Sequence, residues 1–434
     1  MYRFTWKYLL VLSVLSSYLS ISPQSVEANP FFVGRFDGLT GGPLHQGAFA
    51  LYWNPANLYS DHTEFDLFTG IIARQARYDR ELPEDTPEDV AAANGGEATT
   101  SAFGAVPSLA FRTGVLVDDL RIGVGGGVYI ARAGTADWDR HRDADVQYPG
   151  AYDGPQRWSA LSTFMLVVNY AAGLSVGMGP LSLGAALSYS DGRLSTTKAA
   201  NDDQSDDLVN QDGFLREGRI FLDDARGDVL SSTFGAYFEM AGFELGYSWR
   251  LPVIYEMEGT AHILYETAET TVTAQVELQV AESHHISAGY KLGHLRLRAE
   301  YEFQGWSLMD EQDIKNADNG RSLIKLQRRF SDTHAYRLRA DYLLTHSLTL
   351  HAGISYEDGV SPEEYHEPGL SEHDQLEGGL GATFSFNESL SLHSTFFLQH
   401  FFDREVTRSA QSPSTNGNYT DNRQYLTLNL KWRI

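Results

Sequence analysis

Hydrophobic residues recur at every second position along much of this chain. In the final ten residues Leu426, Leu428, Leu430, Trp432 and Ile434 share one face, and Tyr425, Thr427, Asn429, Lys431 and Arg433 share the other. The same repeat returns at Leu120, Ile122, Val124, Val128 and Ile130, and again at Phe243, Leu245, Tyr247, Trp249 and Leu251. Over residues 295–303 an apolar face (Leu295, Leu297, Ala299, Tyr301, Phe303) backs onto Arg296, Arg298, Glu300 and Glu302. Leu348, Leu350, Ala352, Ile354 and Tyr356 alternate in the same way. Neighbouring side chains of a strand point to opposite faces, so these runs predict strands with one apolar and one polar face. A soluble sandwich produces the same alternation, so periodicity alone leaves the architecture open.

The connections decide it. The pattern predicts fourteen strands, at 65–78, 105–117, 119–133, 158–177, 181–195, 229–240, 242–256, 283–292, 295–307, 333–344, 348–358, 373–386, 389–403 and 421–434. Tight turns such as Asp118-Asp119, Ala241-Gly242 and Gly293-His294 alternate with long polar loops at 79–104, 134–157, 196–228, 257–282, 308–332, 359–372 and 404–420. All long loops then lie at one end, as in an outer-membrane barrel with short periplasmic turns. The predicted fold is all-β, a transmembrane antiparallel β-barrel of fourteen strands. Val272, Ala274, Val276, Leu278 and Val280 also alternate, inside a predicted loop; if they add a pair to the wall, the count becomes sixteen.

Composition sharpens this only in part. A mean hydropathy of −0.30 and 21% charged residues suit a soluble protein equally well. Beyond residue 28 no apolar run is long enough for a transmembrane helix. Forty Gly, 23 Tyr and 23 Phe lean toward a barrel with aromatic girdles. The formal charge of −24 argues against nucleic acid as a partner, and the absence of Cys removes disulfide and thiol chemistry. At the start, Arg3 and Lys7 precede an apolar stretch over residues 8–21, and Val26-Glu27-Ala28 offers a cleavage site. Residues 1–28 are read as a secretory signal peptide.

Residues 29–62 lack strand alternation and carry Gly34, Gly38, Gly41, Gly42 and Gly47, then Leu51-Tyr52-Trp53-Asn54-Pro55-Ala56-Asn57-Leu58. Packing residues such as Tyr52 and Trp53 suit a plug in the lumen of a 63–434 barrel better than a flexible leader. Inside the barrel, Arg296, Arg298, Glu300, Glu302, Arg337, Arg339 and Asp341 form a lumen charge network. Mutual pairing is the first reading of such a network, and an ion-selective constriction the second. The acidic run Asp202, Asp203, Asp206, Asp207 and Asp212 lacks regular ligand spacing and reads as a solvated loop. His284 and His285 point to opposite faces, so no metal site is predicted there.

The glycine-rich start followed by Tyr52-Trp53-Asn54-Pro55-Ala56-Asn57 resembles the hatch signature of the FadL-type transporters of long-chain fatty acids and aromatic hydrocarbons (the OMPP1/FadL/TodX family), with Asn57 where Gly is usual. The segments Tyr247-Ser248-Trp249-Arg250-Leu251-Pro252 and Asp332-Thr333-His334-Ala335-Tyr336-Arg337 also resemble family segments. Asn tolerates a left-handed backbone, which makes the Asn57 departure mild. The resemblance implies a monomeric fourteen-stranded outer-membrane barrel plugged by the hatch. It would carry a hydrophobic small-molecule ligand by passive diffusion, without cofactor or catalysis, amid outer-membrane lipid and lipopolysaccharide. Asn54, Pro55, Ala56 and Asn57 would be the mobile or positioning element, and an inward kink in one strand would open a lateral path into the membrane. The run Gly125-Gly126-Gly127 is a candidate for that kink, and close packing against the hatch is its equal rival. Two other functions stay open: a general diffusion porin, and a barrel lipase, for which Ser391 and His393 share a face but lack an orienting third group.

Overall fold

In a soluble protein the apolar face of a strand turns inward; here it turns outward. On the last strand Tyr425, Thr427 and Asn429 are 0% exposed, whereas Leu430 and Trp432 are 38% and 45% exposed. The structure, a computed structural model, describes residues 34–139, 149–201, 203, 205–209, 216–265, 268–370 and 372–434. The expected signal peptide at 1–28 lies outside these residues.

The strands in chain order are β1 (Glu64–Arg80), β2 (Gly96–Val117), β3 (Leu120–Asp137), β4 (Ser162–Met178), β5 (Leu181–Ala200), β6 (Gly218–Met240), β7 (Phe243–Arg250), β8 (Val253–Tyr265), β9 (Ala268–Val280) and β10 (Ser283–Leu292). They continue as β11 (Leu295–Gln304), β12 (Glu311–Asn316), β13 (Ser322–Gln327), β14 (Thr333–Thr345), β15 (Leu348–Glu357), β16 (Gln375–Ser385), β17 (Leu390–Phe401), β18 (Arg404–Val406) and β19 (Gly417–Arg433). Fourteen of them, β1–β7, β10, β11, β14–β17 and β19, form a closed antiparallel ring. β7 pairs with β10, β11 with β14 and β17 with β19, and β19 closes on β1 from Glu64–Arg433 to Arg80–Gly417.

Several strands run further than alternation suggests: β2 begins at Gly96 and β6 at Gly218, in stretches whose polar residues read as loop. β7 stops early because Pro252 has no amide proton for a ladder. The chain then makes the β8–β9 hairpin, so the alternation around Val276 belongs to a strand and not to a loop. That hairpin lies outside the ring. β8 pairs with the first part of β6, and β12 and β13 extend the sheet from β9. The wall therefore has fourteen strands, not sixteen. This side sheet curls over the mouth, where Val276, Leu278, Ile314 and Ile324 pack with Met165, Val167 and Leu194 of β4 and β5.

Replacing residues 253–280 with a short turn is expected to leave the ring closed, because β7 already pairs with β10. Heat-modifiable migration in cold detergent gels would be retained. Its loss would mean that the hairpin is part of the wall.

Candidate functional site

Residues 34–62 occupy the lumen. Phe36 stacks on Phe49 at 4.5 Å, and both meet Phe68 of β1 edge-on. Tyr52, Trp53 and Leu58 join the same apolar cluster, with Tyr129 and Ala131 of β3 and Ala171 of β4 as its walls. Arg250, from the motif singled out in the sequence, clamps Tyr52. It donates to the phenol oxygen at 3.1 Å and the main-chain oxygen at 3.0 Å, with its guanidinium 4.1 Å from the ring centre.

Asn54 is the hub of the hatch signature. Its amide donates to Pro43 O and Ala236 O, each at 2.9 Å, and its side-chain oxygen accepts from Ala56 N at 3.1 Å. Pro55 opens the short helical turn Pro55–Asn57, where its missing amide proton costs nothing. Asn57 has no left-handed backbone. The residue is used for its amide instead, which donates to Pro43 O and His45 O, while Arg112 donates to its carbonyl at 2.9 Å. The wall meets this turn with glycines, because a Cβ on Gly184 or Gly235 would overlap Pro55 or Asn54. At Gly125 the Cβ would lie 2.6 Å from Leu58 Cδ2, so this glycine packs against the hatch. Gly126 and Gly127 face Phe111 and the β2 backbone, and the ladder is continuous across all three.

Six of the charged residues named from β11 and β14 pair among themselves beside Gly42 of the hatch, and the seventh, Arg296, pairs with Glu244 of β7. Arg296 grips Glu244 at 2.7 and 2.9 Å and donates to Leu44 O of the hatch at 3.0 Å. Arg337 lies 2.9 Å from Glu300 and 2.5 Å from Glu302, with Arg339 3.6 Å from Glu300. Arg298 bonds Asp341 at 2.8 Å, and Asp341 leads on through His351 and Thr383 to His393. The other nitrogen of His393 faces Thr395 at 3.0 Å, so threonine hydroxyls occupy both sides of the ring that a lipase would need for a serine.

A second polar layer escaped sequence reasoning. Asp37 of the hatch bonds Asn429 and lies 2.7 Å from His45 and 3.3 Å from Lys431. Burial would raise the Asp37 carboxyl, but Lys431 and His45 overcome it and hold the group well below its ordinary range. Asp37–His45–Asp66 and His285–Glu300–Glu302 have the donor types of metal sites. In each a side-chain cation already sits among the carboxylates, Lys431 in one and Arg337 in the other. The acidic loop run is also charge-paired: Asp206 with Arg80, and Asp203 and Asp207 with Arg216; Asp202 and Asp212 lie outside the described residues.

Among the described residues the wall is interrupted between β2 and β3. β2 and β3 are paired from Val117–Leu120 up to Leu109–Val128, and then part. Residues 101–108 of β2, about 26 Å of strand, have no ladder partner on β3 until the Thr100–Trp138 bridge. β3 bulges at Ala131, whose carbonyl accepts from Gly34 N at 3.0 Å, and Ser108 Oγ accepts from Ile130 N at 3.2 Å. The lumen side of the gap is a packed apolar cluster of Ile72, Val106, Ala133, Phe397 and Tyr425, with the Arg35 guanidinium over the Phe397 and Tyr425 rings. On the outer side stands Phe103, 63% exposed. No spacing in the sequence marks Ala131; Pro107, a residue rare inside paired strands, is the one local hint.

A closed barrel with an outward apolar face, a plugged lumen and short turns at one end is an outer-membrane protein. The chain belongs to the family of outer membrane protein transport proteins (OMPP1/FadL/TodX), whose sequence profile matches residues 40–433. A Pasteurella multocida protein described as a 47 kDa outer membrane protein is 24% identical over 131 residues, 30% of either chain. Among solved structures, a Pseudomonas aeruginosa FadL homologue superposes with a TM-score of 0.74 at 14% identity, covering 95% of this chain and 99% of its own. The Ralstonia pickettii toluene transporter TbuX gives 0.63 at 14%, covering 92% and 99%. The Pseudomonas putida toluene transporter TodX gives 0.66 at 14%, covering 91% and 99%. At these identities the likeness shows the fold.

Asn54→Leu would strip the donor from two buried carbonyls, at about 1–3 kcal/mol for each group left unsatisfied. Hatch amides should then exchange at least tenfold faster while the barrel keeps its heat-modifiable migration; unchanged exchange would remove Asn54 as the hub. A separate expectation concerns the loop between β15 and β16. There His366 and His373 are buried 5.3 Å apart, and burial holds His373 down at about 4 and His366 well below its ordinary value. Unfolded, both take up protons near pH 6.5. Their contribution is thus complete above about 6.5 and is lost as pH falls toward 4. Hydrogen exchange over 359–374, corrected for intrinsic rate, should be faster at pH 5 than at pH 7.5.

Proposed function

We propose that this protein is a passive channel that takes up small hydrophobic molecules, long-chain fatty acids or aromatic hydrocarbons, and releases them sideways into the outer membrane. The observation that carries this is the β2–β3 gap, with an apolar cluster on its inner side and Phe103 on its outer side. A hydrophobic molecule leaving there passes from apolar side chains to lipid without entering water, so its transfer is downhill and needs no energy source. The names of the solved relatives, a FadL homologue and toluene transporters, support the same cargo class.

In this reading residues 1–28 are a removed signal peptide, 29–62 the hatch and 63–434 the barrel. Asn54, Pro55, Ala56 and Asn57 hold the hatch in register against Gly184 and Gly235. The charge network of Arg296, Arg298, Glu300, Glu302, Arg337, Arg339 and Asp341 is neutralised by pairing, Arg296 with Glu244 and the others among themselves, and is not an ion filter. The kink belongs to Ala131, and Gly125 seats the hatch. A ring closed on itself presents lipid and lipopolysaccharide on all sides and works as a monomer. A general porin would need an open lumen at the level that Phe36, Phe49 and Tyr52 fill.

The chain has no Cys, so introduced thiols are unique. With Val106→Cys and Ala133→Cys joined by a cleavable crosslinker, uptake of labelled fatty acid or toluene into proteoliposomes should fall and then recover on cleavage. Uptake indifferent to the crosslink would overturn the lateral route. Sugar leakage through the unmodified protein would overturn the hydrophobic channel. Deleting residues 29–58 should raise single-channel conductance.

A further inference from the structure

Two covers of different construction lie over the extracellular mouth. The side sheet is tied to the wall by a main-chain ladder, through the β6–β8 pairing. The other cover is the strap between β15 and β16, described over residues 358–370 and 372–374, and it contains no strand. Its roots stand half-way round the ring from β4 and β5. Even so, a Cβ on Gly369 would lie 3.2 Å from Ala160 Cβ, in the segment that leads into β4. Leu370 packs with Trp306, Met309 and Phe330, and Glu367 pairs with Arg328 of the side sheet. The strap therefore crosses the mouth, and packing and an ion pair hold its far end.

Near its roots the strap is pinned by two histidines. His366 meets Tyr419 of β19 edge-on at 4.5 Å, and His373 lies 5.3 Å from His366 and 5.3 Å from Phe401 of β17. Both rings are buried, and neither nitrogen of His373 has a hydrogen-bond partner among the described residues. The two legs meet closely here, since a Cβ on Gly359 would lie 2.4 Å from His373 Cα. Besides Tyr419, the groups that face the pair are Arg404, Arg423, Asp421 and Asp374. The two arginines oppose an added proton, and both carboxylates are engaged. Asp421 pairs with Arg74 and Arg423, while Asp374 accepts from the Gly359 amide and the Tyr356 hydroxyl. Glu372, next in the chain to His373, accepts from Arg423 at 3.0 Å. An imidazolium formed here would have no carboxylate to itself, and a buried charge in that position is strongly disfavoured.

We propose that this strap is a proton-released lid: it closes the mouth while His366 and His373 are neutral, and protonation of the pair lifts it to admit cargo. This rests on the uptake reading and adds its regulation. The strap suits the role because its far end can part from the side sheet and from Ala160 without unzipping a ladder, as the elements that open most readily do. The sign follows from burial, which holds His373 down at about 4 in the closed lid. Released, the ring takes up its proton near pH 6.5. The closed form is thus fully favoured above that pH and loses ground as pH falls toward 4. Between pH 7.5 and pH 5 the ratio of released to closed lid should rise about tenfold or more from His373 alone.

The test uses the full-length protein in proteoliposomes with one buffer on both sides and labelled toluene as cargo, because toluene does not titrate. Uptake is counted above that of protein-free liposomes. It should rise several-fold from pH 7.5 to pH 5, and the double variant His366→Phe, His373→Phe should remove the rise. Heat-modifiable migration checks folding; if the double variant does not fold, His373→Gln, which gains no proton, is read in its place. Gly369→Cys with Ala160→Cys supplies a lock, since the chain has no other Cys and the two Cβ positions are near disulfide range. The locked protein should take up no toluene at either pH and recover on reduction. A flat pH profile, a rise that survives the histidine variants, or undiminished uptake through the locked protein would each overturn the lid while leaving the channel standing. Absence of protein-dependent uptake at both pH values in the unaltered protein sinks the channel, and the lid with it.

Discussion

Inside hydrocarbon a strand edge has no water to bond, and each unmet amide or carbonyl costs several kcal/mol. That constraint shapes everything else in this molecule. It makes the ring close, through a β1–β19 ladder that runs the whole length of β1. It also makes the opening between β2 and β3 expensive, so that the opening needs support from outside the sheet. Part of the support is local: Ser108 Oγ takes the Ile130 amide, and Pro107 has no amide proton to leave unmet. Part comes from the hatch, whose Gly34 amide meets the carbonyl of the bulged Ala131. Plug and gap are thus one device, since the first residue of the described hatch sits on the strand that breaks the wall.

The hatch is held by two kinds of contact with different consequences. Its upper half is an aromatic cluster around Phe36, Phe49 and Tyr52, which gains from every apolar surface removed from water. Its lower half rests on paired charges, Arg296–Glu244 beside Leu44 and Lys431–Asp37 beside His45. Buried ion pairs give little net stability because desolvation offsets the attraction, yet breaking one is costly. Such pairs fix where the plug sits more than how tightly it is held. A plug that must keep register and still yield to cargo is served by that combination.

Much of this was legible in the sequence, and what was legible followed from periodicity. The face of β19 that carries Leu426, Leu430 and Trp432 could be read directly, because a lipid-facing strand has no choice but to alternate. So could the meeting of Glu300 and Arg337, since alternation puts both on the lumen faces of the neighbouring strands β11 and β14. The side sheet was not legible: Val272 to Val280 alternate as a wall strand does, and only the β6–β8 pairing places them outside the ring. Asn57 misled for a different reason. Its place in the hatch signature pointed to backbone tolerance, whereas its amide tethers Pro43 and His45. Ala131 gave no signal, because a bulge depends on neighbouring strands that adjacency in the chain does not reveal.

Behind the gap the same economy of charge holds. Ile72, Val106, Ala133, Phe397 and Tyr425 pack there as an apolar cluster, and a cation that reaches them, Arg35 of the hatch, lies over the Phe397 and Tyr425 rings and is paired with Glu377. Its charge is therefore already compensated where the backbone edges of β2 and β3 are not. A molecule that crosses the wall at this level meets apolar side chains on both sides of it, so the hydrophobic effect, and not an unmet charge, sets the direction of the proposed lateral route.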